Sequence, residues 1–185
     1  MLPPSKIDDV VAFHGHSCPG LAFGIRAGDW AVREFGRATD EEVVAVVESD
    51  MCAVDAIQYL VGCTFGKGNF LFLDYGKNAV SFFRRCDGKN ARLMARSGVL
   101  SDLREKQDLL DPGDVEGRDQ IRQRMIDRLM QADFNTIFSV TPARIAVPEK
   151  AKIHKSIPCD ECGEMAMATR LELVNDRTLC VPCRK

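Results

Sequence analysis

Val43-Val-Ala-Val-Val-Glu48 is a β-branched run with no polar alternation, which reads as a buried strand. Downstream, Ala53 to Val61 carries helical spacing and stops at Gly62-Cys-Thr-Phe-Gly-Lys-Gly68, a glycine-rich loop. Three strand-like segments then follow in quick succession, at 69–75, 79–85 and 91–96. Gly76-Lys-Asn78 and Asp87-Gly-Lys-Asn90 between them carry hairpin turn chemistry, so the pattern predicts an antiparallel meander.

Upstream of the valine run, Ile7, Val10 and Val11 recur at helical spacing over 6–13. A second helix is expected from Pro19 to Phe35, with Leu21, Ala22, Ile25, Trp30, Ala31, Val32 and Phe35 as its apolar set. Gly24 and Gly28 share one face of it and would admit a second backbone at close range, and Gly36 is placed to cap its end. Further on, 100–110 reads as a helix broken by Asp111-Pro-Gly-Asp114. Residues 117–132 form a longer amphipathic helix with Ile121, Met125, Leu129 and Ala132 along one face. Short strand signals recur at 138–140 and 144–147. Helices packed on one antiparallel sheet make an α+β core, residues 1–148. A polar linker or swap arm over 148–155 leads into a small module, residues 149–185.

The composition fits that plan. A chain of 185 residues with 45% apolar and 28% charged side chains has room for one real core plus an appendage. A net charge of -2 argues against a broad nucleic-acid-binding surface. No basic segment followed by an apolar run opens the chain, and no stretch approaches the roughly 20 apolar residues that span a bilayer. A soluble, cytoplasmic protein without a membrane role is the expectation.

Eight cysteines are spread unevenly: Cys18, Cys52, Cys63 and Cys86, then Cys159, Cys162, Cys180 and Cys183. In a reducing compartment such clustering points to metal or redox chemistry, not disulfides. Cys159-Asp-Glu-Cys162 and Cys180-Val-Pro-Cys183 stand 17 residues apart, the spacing of a four-cysteine zinc finger. Four thiolates satisfy tetrahedral zinc and leave no open position, so this zinc is structural. A module with so little core takes most of its folding free energy from the metal. A redox dithiol or iron–sulfur centre is the competing reading. Basic Lys150, Lys152, Lys155, Arg170, Arg177, Arg184 and Lys185 are diluted by Asp160, Glu161, Glu164 and Glu172, which reads as a solvated face.

The second candidate site is His14-Gly-His16-Ser-Cys18-Pro-Gly20, which uses two of the chain's three histidines. Imidazole and thiolate bind borderline transition metals at neutral pH, and the glycines and proline indicate a tight turn. Cys52 and Cys63 sit at opposite ends of the 53–61 helix. About ten residues of helix span some 15 Å, so a straight helix lets only one of them join the turn.

Four stretches in matching order carry a resemblance: Phe13-His-Gly-His-Ser-Cys-Pro-Gly20, Cys52-Ala-Val-Asp-Ala-Ile57, Gly62-Cys-Thr-Phe-Gly-Lys-Gly-Asn69 and Asp74-Tyr-Gly-Lys77. Together they resemble the FmdE family of formylmethanofuran dehydrogenase components over the core to about residue 140. The terminal finger looks like the one some members carry. The resemblance implies an α+β core with an attached zinc finger, a homodimer, and a metal near the His-Gly-His turn. The family is named for a component of a molybdenum or tungsten oxidoreductase that reduces CO2 onto methanofuran. A molybdenum or tungsten cofactor and oxidoreductase partner proteins thus enter by association alone.

Among this chain's residues, His16 and Cys18 are the leading candidate ligands and Cys63 the third, because its glycine-rich loop can bend toward another element. His14 either ligates or serves as a hydrogen-bond partner or proton shuttle. Asp50 and Asp55 are candidate supporting carboxylates. The bland alternative makes the cysteines small buried residues and His14 a helix cap. Cys86 reads as inert and His154 as exposed. Gly66-Lys67-Gly68-Asn69 lacks the full phosphate-loop pattern and precedes a strand, leaving at most a small anion held beside Lys67.

Three functions are weighed. A metal-dependent enzyme or enzyme component would use His14, His16, Cys18 and Cys63 as its catalytic set, three ligands leaving an open position on a second metal such as zinc. A regulatory or adaptor protein would bind a partner or nucleic acid through the finger without turnover. A carrier would deliver metal or cofactor to an oxidoreductase.

Overall fold

In the computed structural model, which describes residues 2–184, the valine run is β1 (Val43–Val47), an interior strand with every residue buried. Met1 and the basic Lys185 lie outside the described residues. β1 pairs antiparallel with β3 (Ala79–Arg84), β3 with β4 (Asn90–Ala95), and β4 with β5 (Phe138–Thr141). The expected meander is corrected at β2 (Phe70–Phe72), which runs parallel to β1 on its outer side, giving the order β2-β1-β3-β4-β5. The cause is the helix α3 (Ala53–Val61) between β1 and β2, since a crossover helix returns the chain in the starting direction. Residues 76–78 therefore carry the chain past β1 to its other side and close no hairpin.

The helices cover one face. α1 (Pro4–His14), α2 (Pro19–Phe35), α3, α4 (Ser101–Asp108) and α5 (Val115–Gln131) follow the sequence periodicity closely, and a single turn not expected from it, α6 (Phe134–Ile137), precedes β5. Ala27 and Ala31 of α2, Ile57 and Val61 of α3, and Ile121, Met125 and Leu129 of α5 meet Val43, Ala45, Val47, Val80, Phe82 and Leu93 of the sheet in one cluster. Arg26 is buried and donates to the carbonyls of Leu129, Met130 and Ala132, closing the C-terminal end of α5 onto α2. The absence of a side chain at Gly24 brings α2 hard against α3, where a Cβ would stand 2.3 Å from the Ala53 carbonyl oxygen.

The opposite face follows from strand alternation: Val44, Val46 and Phe83 form a small cluster, with Ala143 packed on it. Residues 142–155 form no helix or strand, which corrects the strand expected at 144–147. This segment is tied down instead. The Ala143 N–H donates to Asn90 Oδ1, and the Arg85 guanidinium donates to the carbonyls of Pro148 and Glu149.

The chain divides into two units, residues 1–150 and 151–185. The second consists of two hairpins, β6 (Ser156–Pro158) with β7 (Met165–Met167) and β8 (Leu171–Val174) with β9 (Arg177–Cys180). Asn175 and Asp176 turn the latter with φ of 50° and 63°, the left-handed pair a two-residue hairpin demands. No described helix is long and apolar enough to cross a membrane.

Candidate metal centre

His14, His16, Cys18 and Cys52 offer four ligand atoms that all lie within 4.8 Å of one another. Three elements deliver them. α1 ends at His14, and Gly15 at φ 93° takes the left-handed step that turns the chain back toward His16. Cys18 is the N-cap of α2, its Sγ accepting the Leu21 N–H at 3.3 Å, and Cys52 is the N-cap of α3. The two helices run side by side in the same sense, since Gly20 meets Cys52, Gly24 meets Ala53 and Gly28 meets Leu60. Both N-termini thus point their partial positive charge at the same spot.

His14 is the most constrained member. Its Nδ1 stands 2.7 Å from Asp55 Oδ2, one turn into α3, which fixes the ring. Its Nε2 is buried and is the sole sealed side-chain polar atom without a hydrogen-bond partner among the described residues. A buried nitrogen left unpaired costs about 1–3 kcal/mol. A metal ion is a partner that would relieve it, and a carboxylate on the far nitrogen is the support that metal-bound histidines use. His16 lies beside it, ring centroids 4.5 Å apart with the rings tilted by 39°, and is exposed. Burial and the neighbouring Cys18 thiol push the Cys52 thiol above its ordinary value. Two thiols and two imidazoles fit zinc or a similar borderline ion.

Cys63 does not join this group. It lies past the far end of α3, fully buried, with its thiol donating to the Val43 carbonyl at 3.3 Å, and burial pushes it up to about 12. The straight helix keeps it away, and Cys52 takes the place expected of it. The glycine-rich loop is equally structural. Asn69 is fully buried and bonds the Asp40 and Val43 carbonyls, while the Lys67 ammonium donates to Gly62 O at 2.6 Å and reaches the Thr39 and Asp40 carbonyls. Lys67 is thus engaged by main-chain carbonyl oxygens. Asp55 is the carboxylate that supports the cluster, whereas Asp50 is exposed, as are Cys86 and His154.

In the finger, Cys159, Cys162, Cys180 and Cys183 likewise converge within 4.8 Å. Gly163, at φ 73°, donates to the Cys159 carbonyl, and the Cys183 N–H donates to that of Cys180, forming two matching knuckles. Backbone N–H groups of Cys162, Cys180 and Glu161 draw the Cys159 thiol down to about 6. The proton shared with Cys180 and Cys162 holds Cys183 up at about 12. Arg177 pairs with Glu161 and Arg184 with Glu172, so two of the finger's arginines are neutralised within it.

Comparison with known proteins agrees with this picture. A family model described as FmdE, molybdenum formylmethanofuran dehydrogenase operon, matches residues 13–139. A prokaryotic dksA/traR C4-type zinc-finger model matches residues 154–185, so the four-cysteine group is a structural zinc site. A protein from Archaeoglobus fulgidus described as a probable S-adenosyl-L-methionine-binding protein is 30% identical over 201 residues. That match takes in 98% of this chain and 54% of the relative, so the chain spans about half the length of the curated protein it matches. Among solved structures, a tungsten formylmethanofuran dehydrogenase FmdE-like protein from Syntrophus aciditrophicus shares the fold. Its TM-score is 0.66 at 24% identity, over 97% of this chain and 90% of that one.

Proposed function

The chain belongs to the FmdE family, and on that premise we propose that it is a metal-binding component or accessory of molybdenum- or tungsten-linked oxidoreductase chemistry, with a second metal held in the core by His14, His16, Cys18 and Cys52. The observation that carries the core site is His14 Nε2, buried and unpaired beside two thiols while Asp55 holds the other ring nitrogen. Zinc is the first candidate ion for this donor set. A bound ion supplies Lewis acidity to whatever replaces a ligand. His16 is the replaceable one, because it is exposed while the other three are partly buried. Asp55, 2.7 Å from Nδ1, holds the ring so that Nε2 is the nitrogen left for the ion.

The molybdenum or tungsten cofactor is assigned to partner proteins and to no residue of this chain. The chain acts as a homodimer in the cytoplasm, where eight cysteines stay reduced. The S-adenosyl-L-methionine of the Archaeoglobus relative's name is not assigned to this chain, which spans half of that protein.

Metal content of the purified chain tests the core site. Two zinc ions per wild-type chain are expected, with one remaining in His14→Ala and in Cys52→Ser and both retained in Cys63→Ser. One zinc in the wild type, unchanged in all three variants, would refute the reading. Ready release of the core ion to a weak chelator would favour a metal carrier over a component that retains its metal.

A further inference from the structure

The face of the sheet away from the helices carries a cavity of about 70 Å3 that the metal centre does not use. A water needs roughly 10–15 Å3 of such space, so a small ion or functional group fits. Its polar lining is Glu48, Tyr75, Lys77, Ser81, Arg92 and Arg144, and strand alternation puts it there. Glu48 follows Val44 and Val46 on β1, Ser81 is the register partner of Val46, and Arg92 is the partner of Ser81. Tyr75 and Lys77 come from Asp74-Tyr-Gly-Lys77, the one family-like stretch that neither the cluster nor the core packing engages.

Arg92 is 4% exposed and grips Glu48 with two bonds, Nε to Oε1 at 2.6 Å and Nη2 to Oε2 at 2.7 Å. Its Nη1 makes no hydrogen bond among the described residues. Neither does the hydroxyl of Ser81, which is 2% exposed. Among the described residues the sole sealed and unpaired polar side-chain atom is His14 Nε2, so Nη1 and the hydroxyl face accessible space. For two side chains so deeply buried, that space is the cavity they both line. Lys77 and Arg144 stand at its exposed rim, close enough that both charges act on the Glu48 carboxylate. Three cations thus face one carboxylate, an excess of two positive charges around unpaired donors.

We propose that this cavity binds an oxyanion, the carboxylate or phosphate group of a small molecule, with Arg92 Nη1 and the Ser81 hydroxyl as its inner donors and Lys77 and Arg144 supplying charge at the mouth. Donors of this kind, one of them a guanidinium, recognise oxyanions by charge-assisted hydrogen bonds. Leu73, Ile145 and the Tyr75 ring give the rest of the ligand an apolar wall. No metal is required for it to bind.

Titration calorimetry of the full zinc-loaded chain with inorganic phosphate, and separately with acetate, tests this. One saturable site per chain is expected, tightening as salt is lowered, with the tighter probe identifying phosphate or carboxylate as the natural group. Lys77→Met with Arg144→Met should weaken it at least ~10-fold, and Ser81→Ala by about threefold, the charged contacts being the stronger. Both rim residues are exposed, so the double variant should keep its melting temperature and its metal content. That separates loss of the anion from failure of the metal centre. Absence of saturable binding for both probes, or equal affinity in the double variant, overturns the proposal.

Discussion

Gly24→Ala strikes the contact that aligns the two cysteine-bearing helix ends. The added Cβ would stand 2.3, 2.6 and 2.8 Å from the O, Cα and C atoms of Ala53. These are main-chain atoms with no rotamer to move into, so α3 must retreat by about 1 Å to restore ordinary contact. Glycine to alanine in a helix otherwise gains about 1 kcal/mol. Overpacking costs roughly 1–3 kcal/mol, and a rigid obstacle puts this case at or above the top of that range. A net loss of about 2 kcal/mol should lower the melting temperature by about 4–8 °C in a chain of this size. The same retreat draws Cys52 away from Cys18, and metal–ligand distances tolerate only about 0.2 Å. The core metal should therefore weaken while the finger keeps its zinc. Thermal melts followed by circular dichroism, with metal content on the same samples, make the measurement. Gly28→Ala meets the movable Leu60 side chain at 2.8 Å and should lose less, and Gly66→Ala has nothing within 4 Å and should be neutral. A Gly24→Ala chain that melts at or above wild type with both metals in place would refute the account of how the cluster is aligned.

Two further outcomes follow from the titrating groups. The Arg92 guanidinium holds the Glu48 carboxyl below its ordinary value, so the folded state binds that proton less readily than the unfolded one. Its stabilisation is full above the unfolded value of about 4.3 and is lost as pH falls through the depressed folded value. Urea midpoints from pH 7 to 3 should show this fall in wild type and a flatter profile in Glu48→Gln; parallel profiles would exclude the pair as its source. Burial holds the Cys63 thiol near 12, so a thiol reagent at pH 8 should label exposed Cys86 in the native protein and leave Cys63 untouched until unfolding. Labelling of both at equal rates would contradict the burial.

Most of the fold was legible because its elements announce themselves locally. α2 and α3 begin and end where apolar periodicity, proline and glycine put them, and the finger's turns follow from Asn175, Asp176 and Gly163. What misled was β2. A short apolar run followed by a Gly-Lys-Asn turn looks the same whether the next strand pairs with it or passes beyond a third strand. Only the crossover through α3 decides that, because it makes β2 parallel to β1 and leaves the other edge of β1 for β3. The Glu48–Arg92 pair was equally invisible. Its partners are 44 residues apart and meet through the pairing of β1 with β3 and of β3 with β4, with Ser81 in between.

The core site was half legible, for a related reason. Helix length alone established that Cys52 and Cys63 cannot share an ion, but it does not say which end of α3 meets the His-Gly-His turn. Loop flexibility pointed to Cys63, and that was the weaker criterion. The stronger one is symmetry of position: Cys18 immediately precedes α2 just as Cys52 immediately precedes α3, and Gly24 and Gly28 let the two helices lie side by side in the same sense. Parallel helices bring like ends together, so a cysteine capping one N-terminus finds its partner capping the other. The two helix N-termini then place both sulfurs at the same point. A cysteine after a helix's C-terminal glycine, as Cys63 is, faces the opposite end of the helix dipole and is better placed as a buried thiol donating to a carbonyl. Glycines four apart on one helix and cysteines capping two helices together carry more information than either pattern alone.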